Sequence, residues 1–360
     1  MRGAASERRQ RAKSCFACHR HSVRRQSEKL VLTNTQESTM NDVSKSTDTG
    51  NTWSTEVDDE GEFVRKATTF RSAIKADGST GFGPEAGRYH LYVSYACPWA
   101  HRTLMVRRLK GLETAISFDV VDPILPSEGW TFEKNVSGAT GDSVNDFRLL
   151  REVYFASRPD FRGTITVPVL FDKKTGVIVN NESSEIIRML NSEFQAISER
   201  PELDLYPEAL RQQIDELNEW IYPQINNGVY RSGFAQKQKA YGNAVDGLFE
   251  GLDRVESILA ESRYLCGDRL TEADVRLFTT LVRFDAVYVT HFKCNVRRIV
   301  DYPNLWGYTR DIYQLPGIAE TVNMEHIKRH YFESHRHINP YGIVPAGPEL
   351  DFTTPHGRGS

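Results

Sequence analysis

The apolar run LYVSYA, Leu91 to Ala96, ends on Cys97-Pro98 and leads straight into WAHRTLMVRRLKGLE. The run has the length and β-rich composition of a buried strand, whereas proline is tolerated inside a helix only in its first turn. The string therefore predicts a strand ending at Ala96 and a helix opened by Pro98, with Leu104, Val106 and Leu109 on one face and Gly111 as its stop. Where a C-x-x-C pair would keep its second sulfur, the chain has Ala100. A fold that contains this string presents one thiol, without a neighbour, at a helix N-terminus.

The elements around the string extend the pattern. AISFDVVD reads as a second strand, FRLLREVYFA as a helix, TVPVLF and VIV as a hairpin around DKKTG, and ESSEIIRML as a helix opened by acidic and hydroxyl residues. This is the element order of a thioredoxin-like domain. Pro168 interrupts the third strand, which places it at an edge or in a cis turn. Gly81, Gly83 and Gly87 precede the first strand instead of following it, so they do not form a dinucleotide loop. From Pro207 onward strands disappear. LRQQIDELNEWIYPQINNGVYRSG reads as one long helix, and in the next Val245, Leu248, Phe249, Leu252, Val255 and Leu259 share a face. Thr271 and Asp274 form a capping box before VRLFTTLVRF. The expected architecture is α+β, with a basic leader and linker at 1–60, a thioredoxin-like domain at 61–200, an all-helical domain at 201–338 and a C-terminal extension at 339–360.

A chain of 360 residues accommodates two such domains. With 45 basic and 48 acidic residues the net charge is −3, which gives no global field for nucleic acid and favours a small-molecule partner. No run of about 18 apolar residues suggests a membrane span. Five cysteines are too few and too scattered for a disulfide framework, which fits a reducing compartment. Residues 1–25 carry seven Arg and one Lys against one Glu. That is the composition of an organelle transit peptide, and equally of an unstructured leader or of sequence upstream of a start at Met40. CFACHRH within it has no apolar surroundings to build a haem or metal site. Residues 32–60 read as linker.

A thiol attacks only as thiolate. At the N-terminus of a helix Cys97 meets free N–H groups and the positive dipole end, and His101 and Arg102 are expected to add charge, so a lowered pKa is expected. Without a partner at Ala100, a mixed disulfide on Cys97 is resolved by a distant cysteine or by an external thiol. Cys266 and Cys294 lack nucleophile surroundings, so external glutathione is the better candidate. The main chain of Val167 is able to pair with its peptide, and the helix start at Glu182-Ser183 is able to hold its γ-glutamyl end, unless those two residues merely cap the helix.

SYACPWAHRTL, GWTF, TVPVLFDKKT, NNESSEIIRM, INNGVYRSGFA, LTEADVRLFTTLVRFDAVYVTHFKCN, LPGIAETVN and HINPYGIVPAGP resemble the glutathione transferase superfamily, and within it the glutathionyl-hydroquinone reductases or Xi class. The likeness spans roughly residues 60 to 357. It implies a homodimer with a thioredoxin-like and an all-helical glutathione-transferase domain, and glutathione as co-substrate. It also implies attack of the cysteine on the sulfur of a glutathionyl-hydroquinone, and release of the mixed disulfide by a second glutathione. Position by position it implies Cys97 as nucleophile and Tyr230 as proton donor. Tyr288 and Tyr331 would hold the quinol and keep the cysteine acidic. Trp130, Thr164, Ile165, Thr166, Val167, Glu182 and Ser183 would contact glutathione. The family usually carries Arg where this chain has Thr164, which raises the question whether Arg162 substitutes. His326, His330, His335 and His337 belong to a family string, and no metal is implied. Two other readings stand beside this one. An Omega-like thiol transferase, dehydroascorbate reductase or deglutathionylase would need only Cys97 and the glutathione site. A non-catalytic binding module would not need Cys97. The location expected is the cytosol, or a plastid or mitochondrion if the leader is a transit peptide; neither nucleic acid nor membrane is an expected partner.

Overall fold

The structure is a computed structural model that describes residues 56–359, all within one compact unit. The basic leader, CFACHRH with Cys15 and Cys18, and most of the expected linker lie outside the described residues. The linker expected to reach Glu60 ends earlier, since Val57 pairs with Phe63 and Gln236 N–H donates to Gly61.

Four strands form one sheet in the order β2-β1-β3-β4: β1 Tyr89–Val93, β2 Ser117–Val120, β3 Val169–Asp172 and β4 Val177–Asn180. β1 runs parallel to β2 and antiparallel to β3, which pairs antiparallel with β4. Both central strands are buried along their whole length, His90 in β1 and Asp172 in β3 included. β1 stops at Val93, short of the expected Ala96, because Ser94 turns the chain: its carbonyl accepts Cys97 N–H at 3.2 Å and its hydroxyl accepts Ala96 N–H at 3.2 Å. β3 likewise starts only after Pro168, which has no N–H for the ladder and follows a cis peptide bond.

Helix α1, Pro98–Leu109, lies between α3, Ser183–Ser192, and α7, Glu272–Arg283, and so joins the α/β half to the helical half. α2 spans Leu150–Ser157. The long helix expected from Leu210 to Gly233 is interrupted. α4, Arg211–Ile221, passes through a π-helical turn at Tyr222–Asn226 before α5, Gly228–Phe234. Pro223 in that turn lacks the N–H that a regular helix needs, which accounts for the break. α6, Gln238–Glu261, buries Val245, Leu248, Phe249, Leu252, Val255 and Leu259. The capping box forms: Asp274 accepts from the N–H and the hydroxyl of Thr271, both at 2.8 Å. Two further π-helical turns follow, Phe284–Tyr288 and His330–Ser334. The C-terminal residues carry no regular element but pack closely, with Phe352 against Trp306 and Tyr313, and Arg358 donating to Leu259 O at 2.7 Å. No described helix is long and apolar enough to cross a membrane.

Candidate active site

Cys97 is the N-cap of α1, extended at φ −78°, with Pro98 at the first helical position. Its Sγ donates to the carbonyl of Val167 at 3.5 Å, across the cis turn before β3. The net effect on the thiol runs against the expected direction. Burial is the largest influence and pushes it up; the N–H groups of Ala100 and Trp99 and the charges of Arg283 and Arg65 pull it down. His101 adds no charge, because burial and Arg283 hold it well below its ordinary pKa, and it bonds Thr321 at 2.8 Å and Arg283 at 3.0 Å. Arg102 turns to Ser183 Oγ at 3.4 Å and Asn226 Oδ1 at 3.2 Å. Cys266 and Cys294 are free and buried, and burial raises them to about 11 and about 12.

Two adjoining cavities lie beside this turn, and Cys97 lines the first of them. One is lined by Phe63, Cys97, Trp130, Thr164, Ile165, Tyr230, His330 and Tyr331. The other is lined by Thr68, Arg71, Asn181, Glu182, Ser183 and Tyr222, while Arg65, Lys66, Trp99, Thr166 and Val167 belong to both. Glu182 caps α3: its carboxylate accepts Ser184 N–H at 3.2 Å and Thr68 Oγ1 at 3.2 Å. Capping and cavity lining therefore coexist in this residue. The main chain of Thr166 is held by the Tyr154 hydroxyl, which donates to its carbonyl at 2.8 Å and accepts its N–H at 3.2 Å. Trp130 stacks on His330 at 5.1 Å, and its segment is pinned by bonds to Leu150 and Asp122. Arg162, the candidate substitute for the Arg expected at Thr164, is exposed, bonds Phe161 O at 2.9 Å and lines neither cavity.

The tyrosines come together from distant parts of the chain. The hydroxyls of Tyr230 and Tyr331 are 2.6 Å apart, and those of Tyr288 and Tyr331 are 3.1 Å apart. Tyr288 and Tyr331 sit in π-helical turns and Tyr230 shortly follows one, a geometry that swings side chains off the regular helical spacing. Tyr288 does not line the cavity and reaches it through Tyr331. Neither Tyr288 nor Tyr331 bonds the sulfur, whose hydrogen bond goes to Val167. Burial raises the pKa of all three, so they stay protonated and able to donate.

Sequence reasoning did not find Arg65, Phe63 or Lys66. They lie in GEFVRKATTF ahead of β1, which has neither periodicity nor a turn signal. Arg283, at the end of α7, was also missed. It donates to Ala96 O at 2.9 Å, Tyr95 O at 2.8 Å and Thr279 O at 2.7 Å, fixing the turn that carries Cys97. His326 and His330 bond the carbonyls of Ser137 and Pro123 at 2.8 and 2.7 Å, and His335 bonds His291 at 3.0 Å. Among the described residues no group of three or more His, Cys, Asp or Glu is placed to hold a metal ion.

Family profiles described as glutathione S-transferase N-terminal domain and C-terminal domain match residues 96–193 and 236–311. The chain is 56% identical over 304 residues to glutathionyl-hydroquinone reductase YqjG of Escherichia coli, covering 83% of this chain and 92% of that protein. It is 50% identical over 288 residues to glutathionyl-hydroquinone reductase PcpF of Sphingobium chlorophenolicum, covering 80% and 90%. The solved structure of YqjG with glutathione bound superposes with a TM-score of 0.79 over 81% of this chain and 96% of that one. The glutathione-S-transferase Xi of Phanerochaete chrysosporium, 55% identical, gives 0.80 over 83% and 96%.

Proposed function

Because the chain belongs to the glutathionyl-hydroquinone reductases, the Xi class of the glutathione transferases, we propose that it reduces glutathionyl-hydroquinones with glutathione through a mixed disulfide on Cys97. The observation that carries this is one cavity shared by a helix-capping thiol and the Tyr230 and Tyr331 hydroxyls, which are 2.6 Å apart. The Cys97 thiolate attacks the glutathione sulfur of the conjugate. A sulfur–sulfur bond forms as the carbon–sulfur bond breaks, and the electron pair left on the ring carbon takes a proton from the Tyr230 hydroxyl. Tyr331, backed by Tyr288, supplies the hydrogen-bonded chain from which Tyr230 recovers it. A second glutathione thiolate then attacks the mixed disulfide, giving glutathione disulfide and restoring the Cys97 thiolate. Ala100 makes that second thiol necessary, since no neighbouring sulfur can close the ring.

In this reading the second cavity takes glutathione, with the Val167 main chain along its peptide and the N-terminus of α3 at Glu182-Ser183 toward its γ-glutamyl carboxylate. Glutathionyl-menadiol and glutathione are mixed with the protein while menadiol and glutathione disulfide are followed. Wild type turns over, Cys97→Ala loses at least about 10³-fold, and intact mass shows one glutathione per chain, on Cys97. Full turnover by Cys97→Ala, or an adduct on Cys266 or Cys294, overturns the mechanism. Exchange of small disulfides without quinol release would favour the Omega-like alternative. A homodimer is part of the proposal and is tested by light scattering. So is a cytosolic or organellar location, tested by sequencing the mature N-terminus.

A further inference from the structure

The cations around the two cavities differ in how their donors are used. Arg102 donates to Ser183, Asn226 and the carbonyl of Arg276, Arg283 to three carbonyls and His101, and Lys66 pairs with Glu56 at 2.6 Å. Arg65 is held by one bond, Nε to Asn227 Oδ1 at 2.8 Å. Its guanidinium carbon lies 4.9 Å from the ring centres of both Trp99 and Tyr230 and 5.2 Å from that of Phe63. A terminal nitrogen, Nη2, is buried and has no hydrogen-bond partner. A buried N–H left without an acceptor is costly, so a cation fixed in this way is built for an acceptor that arrives with a ligand.

The surrounding groups indicate which end of the ligand brings that acceptor. Phe63 and Tyr230 line the Cys97–Tyr331 cavity and not the Glu182 cavity, so the rings that clamp the guanidinium belong mostly to the ring side. Lys66 also lines this cavity but is paired with Glu56, the Tyr230 and Tyr331 hydroxyls stay protonated, and burial holds His330 at about 4. We propose that Arg65 is an anion subsite on the ring side of the cleft, and that the preferred conjugates carry an acidic substituent, such as a ring carboxylate, on the hydroquinone. The substrate class rests on the reductase reading above; the anion subsite itself does not.

Glutathionyl conjugates of 2,5-dihydroxybenzoate and of unsubstituted hydroquinone are compared in wild type, Arg65→Met and Arg65→Lys. The wild type favours the carboxylated conjugate by about tenfold in kcat/KM, the size expected of a charge-assisted hydrogen bond. Arg65→Met abolishes that preference and Arg65→Lys keeps part of it. Equal losses on both conjugates with a raised KM for glutathione would assign Arg65 to the glutathione carboxylate and overturn the proposal. Quenching of tryptophan fluorescence by free 2,5-dihydroxybenzoate and by hydroquinone gives a readout independent of turnover. If the wild type reduces neither conjugate, the reductase reading fails, and the binding comparison still decides the subsite. An unchanged Kd for 2,5-dihydroxybenzoate in Arg65→Met overturns it.

Discussion

The two walls of the cleft are built from different parts of the protein. On the α/β side the sulfur is addressed by main chain: the first N–H groups of α1, the carbonyl of Val167, and a turn fixed by Arg283 through the carbonyls of Tyr95 and Ala96. On the helical side the working atoms are side-chain hydroxyls, three phenols held against each other by two π-helical turns and the residues after a third. A wall of main chain serves any disulfide or thioether that brings its sulfur to Cys97. In the proposed mechanism the wall of phenols matters only when a carbon leaving group needs a proton, so the first wall would set that thiol chemistry occurs and the second on what.

The sharpest break between the walls is Tyr230→Phe. Loss of the proposed proton donor is expected to lower turnover of glutathionyl-menadiol by about 10²-fold, while exchange with a small glutathione disulfide, whose leaving group is a thiolate, changes by less than about threefold. Comparable losses in both assays would mean that Tyr230 supports the thiol and that the division is wrong.

At the seam of the walls, His330 stacks on Trp130 and donates through Nδ1 to Pro123 O. Burial lowers its pKa to about 4 from 6.5, so the folded protein keeps it neutral where the unfolded chain takes a proton. Stability contributed by this residue is full above pH 6.5 and is lost as the pH falls toward 4, by on the order of 3 kcal/mol in all. Urea unfolding between pH 7 and pH 4.5 measures the slope, and His330→Gln is expected to flatten it whatever its effect at neutral pH.

Arg283→Met tests whether the helical half holds the cysteine turn in place. It removes the side-chain donor to the carbonyls of Ala96 and Tyr95 and is expected to cost about 2 kcal/mol by urea unfolding, with slower alkylation of Cys97 at a fixed pH because a charge that favours the thiolate is gone.

How much of each wall can be read in the sequence follows from the same difference. Main-chain groups are presented by contiguous stretches, so strand, Cys97, Pro98 and helix sit within one string, and Val167 and the cap at Glu182 are close to their strands. The phenols come from positions 230, 288 and 331, and nothing local distinguishes them from the other tyrosines; only the long family strings single them out. Arg65 has neither signal, because an irregular segment owes its path to tertiary contacts and leaves no period in the sequence. The net direction of the Cys97 shift was also hidden, since a helix N-terminus is a local feature while burial is set by the whole fold.

The smallest effect concerns a part of the helical half that both walls depend on equally. Thr271 caps α7, and Asp274 returns the bond while accepting Tyr308 OH at 2.9 Å and Leu265 N–H at 2.9 Å. Thr271→Ala removes one hydroxyl and leaves Asp274 with its other donors, so the expected loss is about 1 kcal/mol, the usual size for a cap. α7 carries Arg283 at its far end, twelve residues beyond the cap. Fraying at the first turn stays local if the rest of the helix is as buried as it is in the fold. Reduction of glutathionyl-menadiol and exchange of small disulfides should then both remain at wild-type rates while the urea midpoint falls. A change in one assay and not the other would mean that α7 transmits the cap to a single wall, which its position against both α1 and α4 does not predict.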